Sequence, residues 1–155
     1  MDDPAIERRP AFVVAGLRYH GLLDGEALGE LWEAFGDRFD EFAAAATSED
    51  GFGVTVDYDD ETGFIDYVAG VEVDPDAPLP DDAHTVAVPE QTYAVFETTT
   101  STVDETMTDI YASWLPDAPY DRADGPGFER YGASFHPDDP NAPFQVYVPV
   151  VERES

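Results

Sequence analysis

The chain contains no cysteine and no lysine. The first absence removes disulfides, thiolate metal sites and thiol catalysis together. The second leaves seven basic residues, all arginine (8, 9, 18, 38, 122, 130 and 153), against 35 acids in 155 residues. Direct nucleic-acid binding needs a clustered basic footprint, and no segment supplies one. No apolar run approaches the ~20 residues of a membrane-spanning helix. The opening Met1-Asp2-Asp3-Pro4 lacks the basic-then-apolar order of a secretory leader. A soluble, cytoplasmic protein without membrane contact is expected.

Catalytic signatures are also missing. There is no G-x-S-x-G, no H-E-x-x-H, no P-loop and no G-x-G-x-x-G. The acidic loop from Asp57 fails as a calcium loop, with Thr62 where glycine is needed and Val68 where glutamate is needed. His20, His84 and His136 are far apart and read as solvent-facing. No metal and no cofactor is expected.

What is present is enough apolar residue for a core: 43% hydrophobic and 13% aromatic in one domain-sized chain. The formal net charge is −28, and the acids are spread through every segment rather than gathered in a tail. Self-repulsion at that charge strains a compact fold at low ionic strength, and molar salt screens it. A lysine-free, aspartate-rich surface resembles that of cytosolic proteins from salt-accumulating, halophilic microbes.

Residues 1–9 read as a loose lead-in. Phe12 to Tyr19 is a β-rich run. Asp24 can cap a helix reaching about Ala46, with Leu28, Leu31, Trp32, Phe35, Phe39 and Phe42 in one apolar stripe. Gly51 to Tyr58 and Phe64 to Val73 read as strands around a turn, and Ile65, Tyr67, Ala69, Val71 and Val73 share a face. The Pro- and Asp-rich Asp74 to Asp82 is a connection. Strands follow at His84 to Val88 and Thr92 to Thr98, then a capping box, Thr102 to Glu105. The helix it opens carries Val103, Thr106, Met107, Ile110, Tyr111 and Trp114. Strands at Phe128 to Phe135 and Phe144 to Val151 close the chain.

Each half therefore reads strand, helix, strand, strand. The predicted fold class is α+β: a tandem, pseudo-twofold βαββ repeat, with half-repeats at about 10–74 and 83–151 in one domain over 10–151. Its strands are antiparallel, two main helices cover one face, and a ligand groove lies between the halves.

One carboxylate stands out by position. Alternation places Glu129 with Tyr131 on the more apolar face of its strand. A carboxylate there pairs with an inward donor or awaits a cation; at a strand edge, or with the register slipped by one, it is simply solvated. Tyr67, Tyr111, Trp114, Tyr131 and Tyr147 lie in different elements, and aromatic faces attract organic cations. Tyr111 and Trp114 also sit on a helix stripe that serves as core.

Several motifs occur in a familiar order: Tyr67 to Val73 (YVAGVEV), Val88-Pro89 followed by Thr92 to Phe96 (TYAVF), Ile110 to Pro116 (IYASWLP), Ala123 to Tyr131 (ADGPGFERY) and Val146 to Val150 (VYVPV). In that order the chain resembles the GyrI-like small-molecule-binding domains, which also form the effector-binding part of AraC-type and MerR-type regulators. The resemblance covers about residues 10 to 151. It implies a tandem βαββ fold and a pocket in which a strand-borne glutamate lies among aromatics and receives hydrophobic or cationic ligands. Glu129 matches that glutamate, Tyr131 and Tyr147 match pocket-lining positions, and Tyr67, Tyr111 and Trp114 are looser matches. Residues 1–10 cannot hold a helix-turn-helix, so a stand-alone form is expected.

Three functions follow from that expectation. The first is a binding module for lipophilic, cationic or aromatic compounds, acting as a transcription-effector sensor or a sequestering protein. The second is a hydrolase of strained, cyclopropane-bearing toxins using Glu129 as acid or base, with Tyr131 the nearest second group. The third is an interaction module for a larger partner, either gyrase or a separate DNA-binding regulator.

Overall fold

The computed structural model describes residues 4–22, 25–59, 61–123, 125–132 and 141–152. The first half comprises β1 (Ala5–Arg9), β2 (Phe12–Leu22), α1 (Gly25–Asp37), α2 (Phe39–Ala43), β3 (Ala46–Tyr58) and β4 (Phe64–Val73). The second comprises β5 (His84–Val88), β6 (Gln91–Thr99), α3 (Val103–Asp109), a π-helical turn (Ile110–Trp114), α4 (Leu115–Asp117), β7 (Tyr120–Arg122), β8 (Gly127–Tyr131) and β9 (Pro143–Glu152).

All strands join one antiparallel arrangement in the order β1-β6-β9-β8-β3-β4-β2-β5, with β7 on β9. The order is symmetric about the β3–β8 pair: β3, β4, β2 on one side mirror β8, β9, β6 on the other. This is the tandem βαββ repeat expected from the sequence. Only Pro10 and Ala11 separate β1 from β2, and only Pro89 and Glu90 separate β5 from β6. The β1–β6 ladder (Arg9↔Gln91) and the β2–β5 ladder (Phe12↔Val88) keep one register, so the two ends of the sheet are stitched by a single bent ladder.

The sheet therefore curls, and its faces differ. The inner face gathers Phe12, Val14, Phe52, Val54, Val68, Val88, Tyr93, Val95, Phe128 and Tyr147 into a core made of strand residues alone. The helices pack on the outer face. There α1 and α2 cover Ala15, Val71 and Val73 through Phe35 and Phe42, while α3 and the π turn cover Ala94, Phe96, Val146 and Val148. The strand β4 shows the expected alternation, with Ile65, Tyr67, Ala69, Val71 and Val73 all on the helix-covered face. At the β3–β4 turn, Gly63 adopts φ 79° and its N–H donates to the Asp59 carbonyl.

Several expectations are corrected. Residues 5–9 form a strand rather than a loose lead-in, because β6 offers them a full antiparallel partner. The first helix does not run to Ala46. It breaks at Arg38, whose guanidinium bonds Glu41 and Asp82, and β3 begins at Ala46 because that residue pairs with Val73. Thr102 makes no side-chain cap to α3, since its hydroxyl is engaged by Thr98 and Thr99 instead. The loop before β8 contains β7, which pairs with β9. Asp24, Ala133 to Phe135 and His136 lie outside the described residues. Among those described, no helix is long and apolar enough to cross a membrane.

Candidate functional site

The site forms where the two halves meet on the outer face. Glu129 on β8 lies opposite Gly53 on β3 and Val146 on β9. Alternation along β8 sends Phe128 and Arg130 to the inner side and Glu129 and Tyr131 to the outer side. Tyr131 Oη donates to Glu129 Oε2 at 3.0 Å. Tyr67, from β4, brings its hydroxyl to the same carboxylate and is 2% exposed. From α1, Trp32 Nε1–H donates to Tyr67 Oη at 3.0 Å.

The rings make a cover over this hydrogen-bonded chain. Trp32 meets Tyr131 edge-on at 5.2 Å, and Tyr131 leans on Phe144 at 4.8 Å. Trp32 lies against the two glycines of β3. A Cβ at Gly51 would touch the indole, and one at Gly53 would overlap the Tyr67 hydroxyl. The segment Gly51-Phe52-Gly53 thus puts a phenylalanine into the inner core and leaves a smooth floor outside. Two surface cavities lie elsewhere, about 560 Å³ beside Phe12, Glu72 and Val88, and about 500 Å³ beside Ile6, Tyr120 and Val150.

The electrostatics follow from burial. Burial pushes the Glu129 carboxyl above its ordinary value, and the Tyr131 and Tyr67 hydrogen bonds pull the other way without cancelling the effect. The Tyr67 and Tyr131 phenols are both held well above the usual tyrosine value, first by burial and then by the negative charge of Glu129. Both therefore stay protonated and can only strengthen as donors to an ionised carboxylate. A partly desolvated carboxylate among aromatic rings, with no ion pair to an arginine among the described residues, is arranged to favour a cationic visitor.

Of the six residues expected at the site, the structure brings together Glu129, Tyr131 and Tyr67. Tyr147 is on the other face: it lies opposite Phe128 in the β8–β9 register, stacks on that ring at 4.4 Å, and its hydroxyl accepts from Arg130 at 3.4 Å. Trp114 belongs to the same outer cluster as Tyr131 but packs edge-on against Phe96 at 5.1 Å. Tyr111 is 42% exposed on the π turn. Sequence reasoning missed Trp32, which sits on a core-like helix stripe, and Gly53. The available signal was the alternation Gly51, Gly53 in a strand, which marks close approach by another group. Among the described residues no group of side chains is arranged to hold a metal ion.

A curled tandem-βαββ sheet with a glutamate–aromatic cluster at its centre defines an effector-binding domain. The chain belongs to the Cass2 family of integron-associated effector binding proteins, whose profile matches residues 5–150. This is the GyrI-like class that the motif order suggested. The transcriptional regulator BrlR of Pseudomonas aeruginosa is 35% identical over 148 residues, covering 94% of this chain and 54% of the regulator. The chain thus spans about half the length of that relative. The structure of SAV2435 bound to tetraphenylphosphonium superposes with a TM-score of 0.70 at 13% identity, covering 97% of this chain and 94% of the other. The EcmrR C-terminal domain gives a TM-score of 0.69 at 15% identity, covering 96% of each chain. At those identities the two structures establish the fold.

Proposed function

We propose that this chain binds lipophilic cationic or aromatic compounds at Glu129, as an effector sensor for transcription or as a sequestering protein. The observation that carries the proposal is the Glu129 carboxylate, enclosed by Tyr67, Tyr131 and Trp32 and hydrogen-bonded to phenols rather than to an arginine. A delocalised cation placed against these rings would neutralise the carboxylate and gain about 0.5–2 kcal/mol from each aromatic face. The tetraphenylphosphonium complex of SAV2435, a protein of the same fold, supports this ligand class. The relationship to BrlR supports a regulatory setting, in which a separate DNA-binding regulator is the fitting protein partner.

Titration calorimetry with tetraphenylphosphonium in molar KCl tests the proposal. Wild type should bind saturably and Glu129→Gln at least tenfold more weakly; equal affinity, or none in either protein, overturns it. A second reading is favoured by the raised Glu129 carboxyl beside the Tyr131 hydroxyl, an acid–base pairing suited to hydrolysis of a strained ring. Mass analysis of a bound cyclopropane-bearing compound separates the two, since a sensor returns it intact.

A further inference from the structure

We propose that Trp32 is a positioning residue that sets the direction of the hydrogen bonds around Glu129, so that the site presents a carboxylate to its ligand. The inference deepens the ligand-binding reading above and rests on it. An indole nitrogen is a donor only, whereas a phenol oxygen both donates and accepts. Trp32 Nε1–H donates to Tyr67 Oη at 3.0 Å, which uses the accepting side of that hydroxyl. The single Tyr67 proton is then free to go to Glu129, as the Tyr131 proton does at 3.0 Å. The chain runs one way: Trp32 to Tyr67 to Glu129, and Tyr131 to Glu129.

Without the indole N–H, the side of the Tyr67 hydroxyl away from Glu129 is open and reversal becomes easier. A protonated Glu129 can donate to Tyr67 Oη, and the site then holds a neutral acid. Trp32 makes that reversed arrangement unfavourable, because its N–H occupies the side to which the displaced Tyr67 proton would have to turn, and an indole N–H cannot accept it. The other groups facing Glu129 do not supply this direction. The ladder partners of Glu129 are Gly53 on β3 and Val146 on β9, and Tyr131 of β8, bonded to both Glu129 and Tyr67, can itself donate or accept. Arg130, bonded to Asp50, lies on the opposite face of β8.

The test replaces Trp32 with its benzothienyl isostere, which keeps the bicyclic ring and exchanges N–H for sulfur. Tetraphenylphosphonium affinity is measured by calorimetry from pH 4.5 to 8 in molar KCl, with Trp32→Phe and Tyr67→Phe alongside. Affinity should fall as Glu129 protonates, and the isostere should move that midpoint upward by about one pH unit. It should cost about fivefold in affinity near the wild-type midpoint, approach tenfold below it, and cost little at pH 8. In the Tyr67→Phe background the isostere should add nothing, because the intermediary hydroxyl is gone. Should the isostere not fold, the same midpoint shift is required of Trp32→Phe. A wild-type midpoint in the N–H-free variants, with binding still dependent on Glu129, overturns the role of Trp32 alone. Loss of Glu129 dependence in wild type overturns the binding site itself.

Discussion

Gly53 faces Glu129 across the β3–β8 pair, and the volume its missing side chain leaves open holds the Tyr67 hydroxyl. The two positions are related by the pseudo-twofold of the sheet, so one half of the repeat supplies the carboxylate and the other supplies the space beside it. Gly53→Ala should therefore act through Tyr67. Overpacking of this kind costs about 1–3 kcal/mol, measurable by urea unfolding. Combining it with Tyr67→Phe, which removes the overlapping oxygen but leaves the ring carbon Cζ at 2.8 Å, should return part of that loss. Additive losses in the double variant would show that Tyr67 does not occupy the space.

The same register shows what the sequence could and could not reveal. The alternating run Phe64 to Val73 and the stripe on α1 were legible, because burial on one face imposes a period that needs no knowledge of the partner. Glu129 and Tyr131 shared a face for the same reason. Tyr147 was not legible: its own strand is apolar on both sides, and only pairing with Phe128 turns its ring inward. Trp32 looked like core, since nothing in its helix announces two glycines waiting on β3. The strand Ala5–Arg9 is mostly exposed and has no alternation to find; β6 makes it a strand.

Arg9 gives that strand an anchor with its own consequence. Its guanidinium lies 4.3 Å from the Phe12 ring centroid, within 6 Å of Phe52 and Phe128, and 2.7 Å from Glu72. The pair is about a quarter exposed, so its Coulomb part is modest and salt-sensitive, while the stacking part is not. Arg9→Ala should cost about 1–2 kcal/mol of stability, read as a lower thermal midpoint, most of it surviving in molar KCl. Arg9→Lys should keep the ion pair and still lose stability, because an ammonium cannot stack as a guanidinium does. A full rescue by lysine would assign the effect to charge alone.

Salt should stabilise the whole chain. With 35 acids against seven arginines, repulsion dominates over the few surface pairs, of which Arg8–Glu90 is more than half exposed on both sides. Raising KCl from 0.1 to 1 M shortens the screening length from about 10 to about 3 Å. The melting midpoint should rise steadily across that range, and sodium chloride should do nearly as well. A midpoint that falls with salt would mean that specific ion pairs outweigh the general repulsion.

Glu129 should destabilise the fold at neutral pH, in the manner of a group kept for function. Its folded carboxyl holds its proton more tightly than the unfolded one, whose ordinary value is 4.5. Between the two values the native state binds more protons, so the Glu129 contribution falls as pH rises. The contribution is fully present below about pH 4 and reaches its lowest level once pH passes the folded value. Glu129→Gln cannot ionise. Its stability relative to wild type should therefore be lowest in acid, rise through the weakly acidic range and level off towards neutrality. Taking the difference between the two proteins removes the titration of the other carboxylates. A saturating lipophilic cation should erase the neutral-pH gap by stabilising wild type alone. A difference curve that is flat with pH would place the Glu129 carboxylate in water and remove the physical basis for a cation site there.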